Sequence, residues 1–206
     1  MNMKRFIVLC FVAISFFASA QDYEPEVKYT GEGKITMMDG KELTGELTYS
    51  FVSIRNLIFV APGAEKEKIK TNDIKEFTIS GTRFVRIVTT AISIGKDWEF
   101  AICLTPENSK ISIFESINQT GVETGSGYKT ERGYFIKFPN DEKAKSLTDL
   151  SFTPFHKKVS KIIADCPALS EKIANKAEGY KLGLISTPQQ QFDVFMKVAT
   201  EYQDCK

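Results

Sequence analysis

Between Tyr29 and Phe138, apolar and polar residues alternate in short runs, which is the pattern of half-buried β-strands. Turn residues such as Pro62-Gly63 separate these runs, which are rich in β-branched and aromatic residues. The clearest runs read NLIFVAP, TRFVRIVTTAISI, WEFAICL, SKISIFESI and GYFIKF. The pattern predicts an antiparallel β domain over residues 29–138, built as a sheet or a partly open barrel of about eight short strands.

The segment GKITMMDGKELTGELTY (residues 33–49) predicts a β-hairpin around Asp39-Gly40. A two-residue turn would place Ile35 opposite Thr44, so that the apolar faces of the two strands disagree. A three-residue loop pairs Ile35 with Leu43 instead, and requires a residue with positive φ, which Gly40 can supply. That register places one apolar set on a single face: Ile35, Met37, Leu43, Leu47 and Tyr49. We therefore interpret Asp39 and Gly40 as structural turn residues.

A polar, glycine-rich stretch at residues 118–133, NQTGVETGSGYKTERG, interrupts the strand pattern. This composition predicts a flexible loop or a long hairpin connection. Tyr128 and Tyr134 flank its KTERG part, where tyrosine rings can serve as contact anchors for a ligand. The alternative is that both tyrosines pack on neighbouring strands, as aromatic residues in sheets commonly do. The sequence therefore assigns no binding residue.

The hydrophobic period becomes helical within residues 139–206, where we predict three helices packed on the sheet. Thr153 is the predicted N-cap of the first helix, and Pro154 its first residue. The second helix is predicted to end at Gly179. The third begins with a capping-box spacing over Thr187–Gln190. The chain is thus predicted to be an α+β protein.

Residues 1–20, MNMKRFIVLCFVAISFFASA, have the three parts of a secretory signal peptide. Lys4 and Arg5 form the basic part, an apolar stretch follows, and small residues lead to a predicted cleavage site after Ala20. Lipidation of Cys10 is disfavoured, because too few apolar residues precede it. We therefore expect an exported protein of the periplasm or cell surface.

Removal of the signal peptide takes two basic residues away and changes the formal charge from +1 to −1. A nearly neutral domain lacks the basic surface that nucleic-acid binding requires. No later segment approaches the roughly 20 apolar residues of a membrane span, so no transmembrane segment is expected after cleavage. Residues 21–28 are polar and are predicted to form a disordered N-terminus of the mature chain.

Three cysteines follow the predicted cleavage site: Cys103, Cys166 and Cys205. Export would place them in an oxidising compartment, where disulfides persist. Cys103 lies in an apolar strand, where we expect a buried thiol. Cys166 begins the second predicted helix and Cys205 ends the third, so antiparallel helices would bring the two together. We predict a disulfide between them, with two unpaired thiols as the alternative.

The chain resembles a set of small uncharacterised exported proteins of Gram-negative bacteria. The resemblance rests on the strand pair G-x-I-x-x-x-D-G-x-x-x-x-G at residues 33–45, the DIK-F strand at residues 73–77 and the DCP-L---I helix at residues 165–173. It implies a shared fold and an envelope location, and it implies no activity. The first strand signals also resemble an Sm-type or SH3-like barrel.

Candidate catalytic groups are few. The single histidine, His156, stands beside two lysines, and no nucleophile, zinc or phosphate-loop motif is present, so no cofactor is expected. Four acidic residues of the β domain are possible carboxylate pairs by residue type only: Glu46, Asp73, Glu76 and Glu115. We therefore predict a non-catalytic binding or accessory domain for an envelope protein or glycan. The alternative is a carboxylate-dependent hydrolase of the periplasm or cell surface.

Overall fold

The computed structural model describes residues 23–89, 98–121, 127–152, 154–183 and 186–205, apart from the side chain of Phe152. The predicted signal peptide and the predicted cap Thr153 lie outside these residues. Over the described residues the protein has the predicted α+β fold, because ten antiparallel strands form one open sheet and helices follow it.

The strands in chain order are β1 (Lys28–Met37), β2 (Glu42–Ser50), β3 (Asn56–Val60), β4 (Lys66–Lys70), β5 (Ile74–Ile79), β6 (Thr82–Ile87), β7 (Glu99–Cys103), β8 (Ser112–Gly121), β9 (Tyr128–Lys137) and β10 (Lys145–Ser146). A 3-10 turn over Thr71–Asp73 joins β4 to β5. The strand order across the sheet is β10-β9-β8-β7-β6-β5-β1-β2-β3-β4. The two edge strands, β4 and β10, do not pair with each other, so the sheet stays open.

The helices are α1 (Leu147–Phe152), α2 (Phe155–Ile162), α3 (Pro167–Ala174) and α4 (Pro188–Gln203). The short elements β10 and α1 were not predicted. The second predicted helix ends at Ala174, before Gly179, because Lys176 already adopts a left-handed φ of 54°. The first predicted helix begins one residue later than expected, with Pro154 as its N-cap.

The β1–β2 hairpin has the three-residue loop. Ile35 pairs with Leu43, and the backbone N–H of Met37 donates to the carbonyl of Lys41 at 2.8 Å across the loop. Gly40 has a φ of +87°, and the Asp39 side chain accepts a hydrogen bond from the Lys41 N–H at 2.9 Å. Both residues therefore act as structural turn residues.

Two glycines let neighbouring strands approach closely. Gly33 and Gly45 face each other across β1 and β2. A Cβ atom on Gly33 would lie 1.9 Å from the carbonyl oxygen of Thr78, and one on Gly45 would lie 2.4 Å from that of Val60. Because real Cβ atoms do not reach such distances, any side chain at either position would push the strands apart.

The sheet curls until distant strands share one core. Tyr49 in β2 and Phe100 in β7 have ring centroids 6.1 Å apart, although three strands separate them in the sheet. The cross-strand pair Phe77 and Phe84 stacks at 4.6 Å beneath them. The buried residues of this concave face include Ile35, Leu47, Tyr49, Leu57, Phe77, Ile79, Phe84 and Phe100.

A second core lies where the helices cover the β8–β9 end of the sheet. It joins the strand residues Ile113 and Ile136 to apolar faces of all four helices. At the start of α4, the N–H of Gln190 donates to Thr187 at 3.2 Å, while the Gln190 side chain accepts from the Thr187 N–H at 3.0 Å. This reciprocal pair is the predicted capping box.

A disulfide joins Cys166, before α3, to Cys205, after α4, with Cα atoms 5.5 Å apart. Nearby, the Tyr202 hydroxyl donates to the Asp165 carboxylate at 2.5 Å. The backbone N–H of Lys110 donates to the Gln203 side chain at 2.8 Å, which fastens the end of α4 to the loop before β8. The C-terminal helix is thus held both covalently and by hydrogen bonds.

The polar stretch at residues 118–133 is mostly a strand ribbon, which differs from a flexible loop. β8 and β9 pair from Ser112 with Lys137 to Gly121 with Tyr128. The predicted disordered N-terminus also differs over its described part. Glu24 exchanges two 2.9 Å backbone hydrogen bonds with Tyr128, and the buried Gln119 accepts from the Val27 N–H at 2.7 Å. Local polarity did not reveal these long-range backbone pairings.

Candidate functional site

One end of the curled sheet encloses a cavity of about 70 Å³, which we call the aromatic slot. Residues of β2, β7 and β8, of the turn after β2 and of the position just before β7 line it: Tyr49, Phe51, Ile54, Trp98, Glu99, Phe100, Ile117 and Asn118. Larger depressions lie along α4 (about 790 Å³) and beside the disulfide (about 390 Å³). Both have no aromatic lining residue. The slot is therefore the best-formed candidate for recognition of a small chemical group.

The walls of the slot are rings that are almost fully buried. Tyr49, Phe51 and Phe100 are 2%, 3% and 4% exposed. The Tyr49 and Phe51 rings meet edge to face, with centroids 5.2 Å apart and an interplanar angle of 72°. Because these rings also pack into the core of the sheet, they hold the slot open in a fixed shape.

Trp98 forms another wall and is itself packed on two sides. Its ring lies edge to face with Phe100 at 5.5 Å, and the Arg86 guanidinium carbon lies 3.8 Å from its ring centroid. Arg86 also donates to the carbonyl of Asn72 at 3.2 Å. This cation–π contact fixes the indole ring and covers one of its faces.

Glu99 is the acidic group of the slot. The Ser116 hydroxyl donates to Glu99 Oε2 at 2.9 Å. Among the described residues, no lysine, arginine or histidine forms an ion pair with Glu99. Burial raises the pKa of Glu99, and the hydrogen bond from Ser116 opposes this effect in part. Burial, with a further contribution from the Glu99 charge, also raises the pKa of Tyr49.

The rim of the slot is apolar and exposed. Val52 and Ile54, in the turn between β2 and β3, are 36% and 40% exposed, and only Ile54 lines the slot. The Thr71 hydroxyl donates to the Ile54 carbonyl at 2.9 Å, and Ser50 Oγ accepts from the Val52 N–H at 3.1 Å. These hydrogen bonds fix the backbone of the turn, so the rim is preorganised.

The four carboxylates that the sequence offered as catalytic candidates lie apart. Glu76 pairs with Arg83 at 3.0 Å, and Glu115 pairs with Arg132 at 2.9 Å. Glu46, which is exposed on β2, is separated from Glu76 by the whole of β1. Asp73, in the 3-10 turn, is also exposed. Over the described part of the chain, no group of three or more histidine, cysteine or acidic residues is placed to hold a metal ion.

The two tyrosines considered as anchors have structural contacts. Tyr134 packs on Phe192 of α4, with ring centroids 4.9 Å apart. Tyr128 pairs through its backbone with Glu24 and lies over Gly121. Tyr128 therefore packs on a neighbouring strand, as the alternative predicts, whereas Tyr134 packs on a helix.

Cys103 is half-buried, which differs from the expected buried thiol, and His156 is half-buried as well. Arg83 Nη1 lies 3.8 Å from the Cys103 sulfur. Desolvation, followed by the charges of Lys176 and Lys157, lowers the pKa of His156. Neither residue lines the aromatic slot.

Sequence reasoning missed the residues that form the slot, above all Trp98 and Glu99. One local signal was present, because WEFAICL places a single acidic residue between two aromatic residues at the start of an apolar strand. An acidic residue in such a run is either exposed to solvent or partly buried with a polar partner. The other walls come from β2 and β8, and only the curl of the sheet brings them to Glu99.

No protein-family model matches this chain, and no curated protein or solved structure matches it either. Its class is therefore defined by the fold and the slot, as a curled antiparallel sheet with a helical C-terminal cover and an aromatic slot at one end. Among the described residues, no helix is both long enough and apolar enough to cross a membrane.

Proposed function

We propose that this chain is an exported cell-envelope protein that acts as a non-catalytic binding domain, with its ligand held in the aromatic slot. One observation carries the proposal: a preformed cavity combines buried aromatic walls, an exposed apolar rim and a half-buried carboxylate without an ion-pair partner among the described residues. Small binding sites in proteins have this composition, with a few polar groups set in an apolar lining.

Two features support export. The leader has the composition of a signal peptide, and Cys166 and Cys205 form a disulfide. Disulfides persist in the periplasm and at the cell surface, where no thiol buffer reduces them. Hydrolysis of a glycosidic bond by carboxyl groups canonically uses two of them, one on either side of the bond. The slot supplies one, Glu99, so binding is the better interpretation.

The test uses the mature chain, immobilised as bait for solubilised components of its native envelope. Two variants carry the same change on the same turn: Ile54→Arg and Val52→Arg. Ile54 lines the slot, whereas Val52 is similarly exposed but does not line it. An arginine at position 54 can fill the slot and neutralise Glu99.

We expect a component that the wild type and Val52→Arg retain and that Ile54→Arg loses. Circular dichroism of the three proteins checks that the fold is unchanged. Retention of the same components by all three proteins would contradict binding through the slot. Turnover of an envelope glycan or ester by the wild type would instead favour the hydrolase.

A further inference from the structure

We propose that the group which enters the aromatic slot is an alkylammonium, a protonated amine on a short aliphatic stem, with its charge on Glu99. This inference rests on the proposed function and adds the chemistry of the ligand. A lysine side chain of a protein partner and a small free amine both carry this group.

The charge of Glu99 favours a cationic ligand. An ionised carboxylate has lone pairs for about four hydrogen bonds. Among the described residues, Glu99 receives one hydrogen bond, from Ser116, and no cationic residue lies within ion-pair distance of it. A half-buried carboxylate without a counter-ion is unfavourable, and a ligand cation would supply the missing partner. A donor group of the ligand is therefore favoured over an acceptor.

The shape of the slot favours a small, narrow group over a sugar ring. Sugar rings bind proteins by stacking on an accessible aromatic face, and three of the four aromatic side chains that line the slot are almost fully buried. Tyr49, Phe51 and Phe100 are at most 4% exposed, and Arg86 covers one face of Trp98. A volume of about 70 Å³ accommodates only a narrow group of a few heavy atoms. A primary ammonium is such a group, and aromatic walls are favourable surroundings for a cation.

The apolar rim of the slot favours an aliphatic stem behind the charge. Ile54, which is 40% exposed, lines the slot at its rim. Methylene groups leaving the slot can pack on this side chain and bury apolar surface. The ligand is thus expected to place its charged group inside the slot, at Glu99, and its aliphatic chain at the rim, on Ile54.

The experiment follows Trp98, the single tryptophan, through its indole N–H signal in heteronuclear NMR. The probes are n-butylammonium, the neutral n-butanol of the same length, and a lysine blocked at both its amino and carboxyl ends. The variants are Glu99→Gln and the matched control Glu46→Gln, which removes an exposed carboxylate on β2 outside the slot. The amide oxygen of glutamine can still accept the hydrogen bond from Ser116, so the fold should persist.

We expect n-butylammonium to bind the wild type and Glu46→Gln at least about tenfold more tightly than n-butanol, and Glu99→Gln to lose this preference. Because only ionised Glu99 attracts the cation, the affinity should fall as the pH is lowered through the pKa of Glu99, and only in proteins that keep this residue. Tighter binding of the blocked lysine would identify a protein partner as the source, and tighter binding of n-butylammonium a free amine.

Equal binding of n-butanol, an unchanged preference in Glu99→Gln, or absence of binding by both amines would overturn the inference. If Ile54→Arg still loses the envelope component in that case, the slot remains the binding site and only the ligand chemistry is wrong. If Ile54→Arg also retains every component, the proposed function fails as well.

Discussion

Loss of the Cys166–Cys205 disulfide should destabilise the whole protein by an amount that the structure sets. The two cysteines are separated by 39 positions in the sequence. In the chain-entropy model, a loop of this length gives about 4 kcal/mol at 25 °C, because the bridge restricts the unfolded chain. We therefore expect the Cys166→Ala/Cys205→Ala variant to lose about 4 kcal/mol in free energy of unfolding.

Other native contacts around the bridge should keep the folded structure intact without it, so the loss of stability should come from the unfolded state. Lys110 and Gln203 fasten the end of α4 to the loop before β8, and Tyr202 donates to Asp165 beside the bridge. These contacts do not need the sulfur atoms, so the folded structure should persist without the disulfide. Reduction of the wild-type protein by an added thiol converts the disulfide to two thiols and removes no protein atom, so it should give nearly the same loss as the double variant.

The assay is urea unfolding of the oxidised wild type, the reduced wild type and the double variant, followed by circular dichroism. Cys103→Ala is the matched control, because it removes the thiol that takes no part in the bridge. Thiol counting under denaturing, non-reducing conditions should find one free thiol in the mature chain. Three free thiols, or a loss below about 1 kcal/mol in both altered proteins, would refute the reasoning.

The features that could be predicted from the sequence are those that neighbouring residues decide. The loop of the first hairpin follows from the agreement of Ile35 with Leu43 and from Gly40. The start of α4 follows from a threonine and a glutamine at capping-box spacing. In each case, a steric requirement or a hydrogen bond within a few residues fixes the local structure, and the residue type reveals it.

The features that could not be predicted depend on contacts between distant residues. The part of the β8–β9 ribbon that lies within residues 118–133 is mostly polar, and a backbone ladder with few apolar side chains holds its two strands together. The aromatic slot joins Phe51 to Glu99 and Asn118, which share no sequence pattern. Their meeting depends on the curl of the sheet, which periodicity along one strand does not encode. Glycines such as Gly33 contribute to the close packing, but their role appears only with the strand order.

Three further substitutions test the local arguments. Gly33→Ala should destabilise the protein by roughly 1–3 kcal/mol in urea unfolding, because its Cβ would meet the Thr78 carbonyl at 1.9 Å; unchanged stability would contradict this close approach. Thr187→Ala should cost about 1 kcal/mol through loss of the capping box, and Thr187→Ser should restore most of it. Glu99→Gln should stabilise the protein at neutral pH, because burial raises the pKa of Glu99 in the folded state and so disfavours its ionised form there. A carboxyl group with a raised folded-state pKa contributes stability below its unfolded pKa, and this contribution is lost as the pH rises through the folded-state pKa. The free energy of unfolding of the wild type, relative to that of Glu99→Gln, should therefore decrease between about pH 4 and about pH 7. Urea midpoints of both proteins at the two pH values measure this difference. A difference that does not change with pH would mean that the carboxylate carries no desolvation cost, and would remove the reason to expect a cation as its partner.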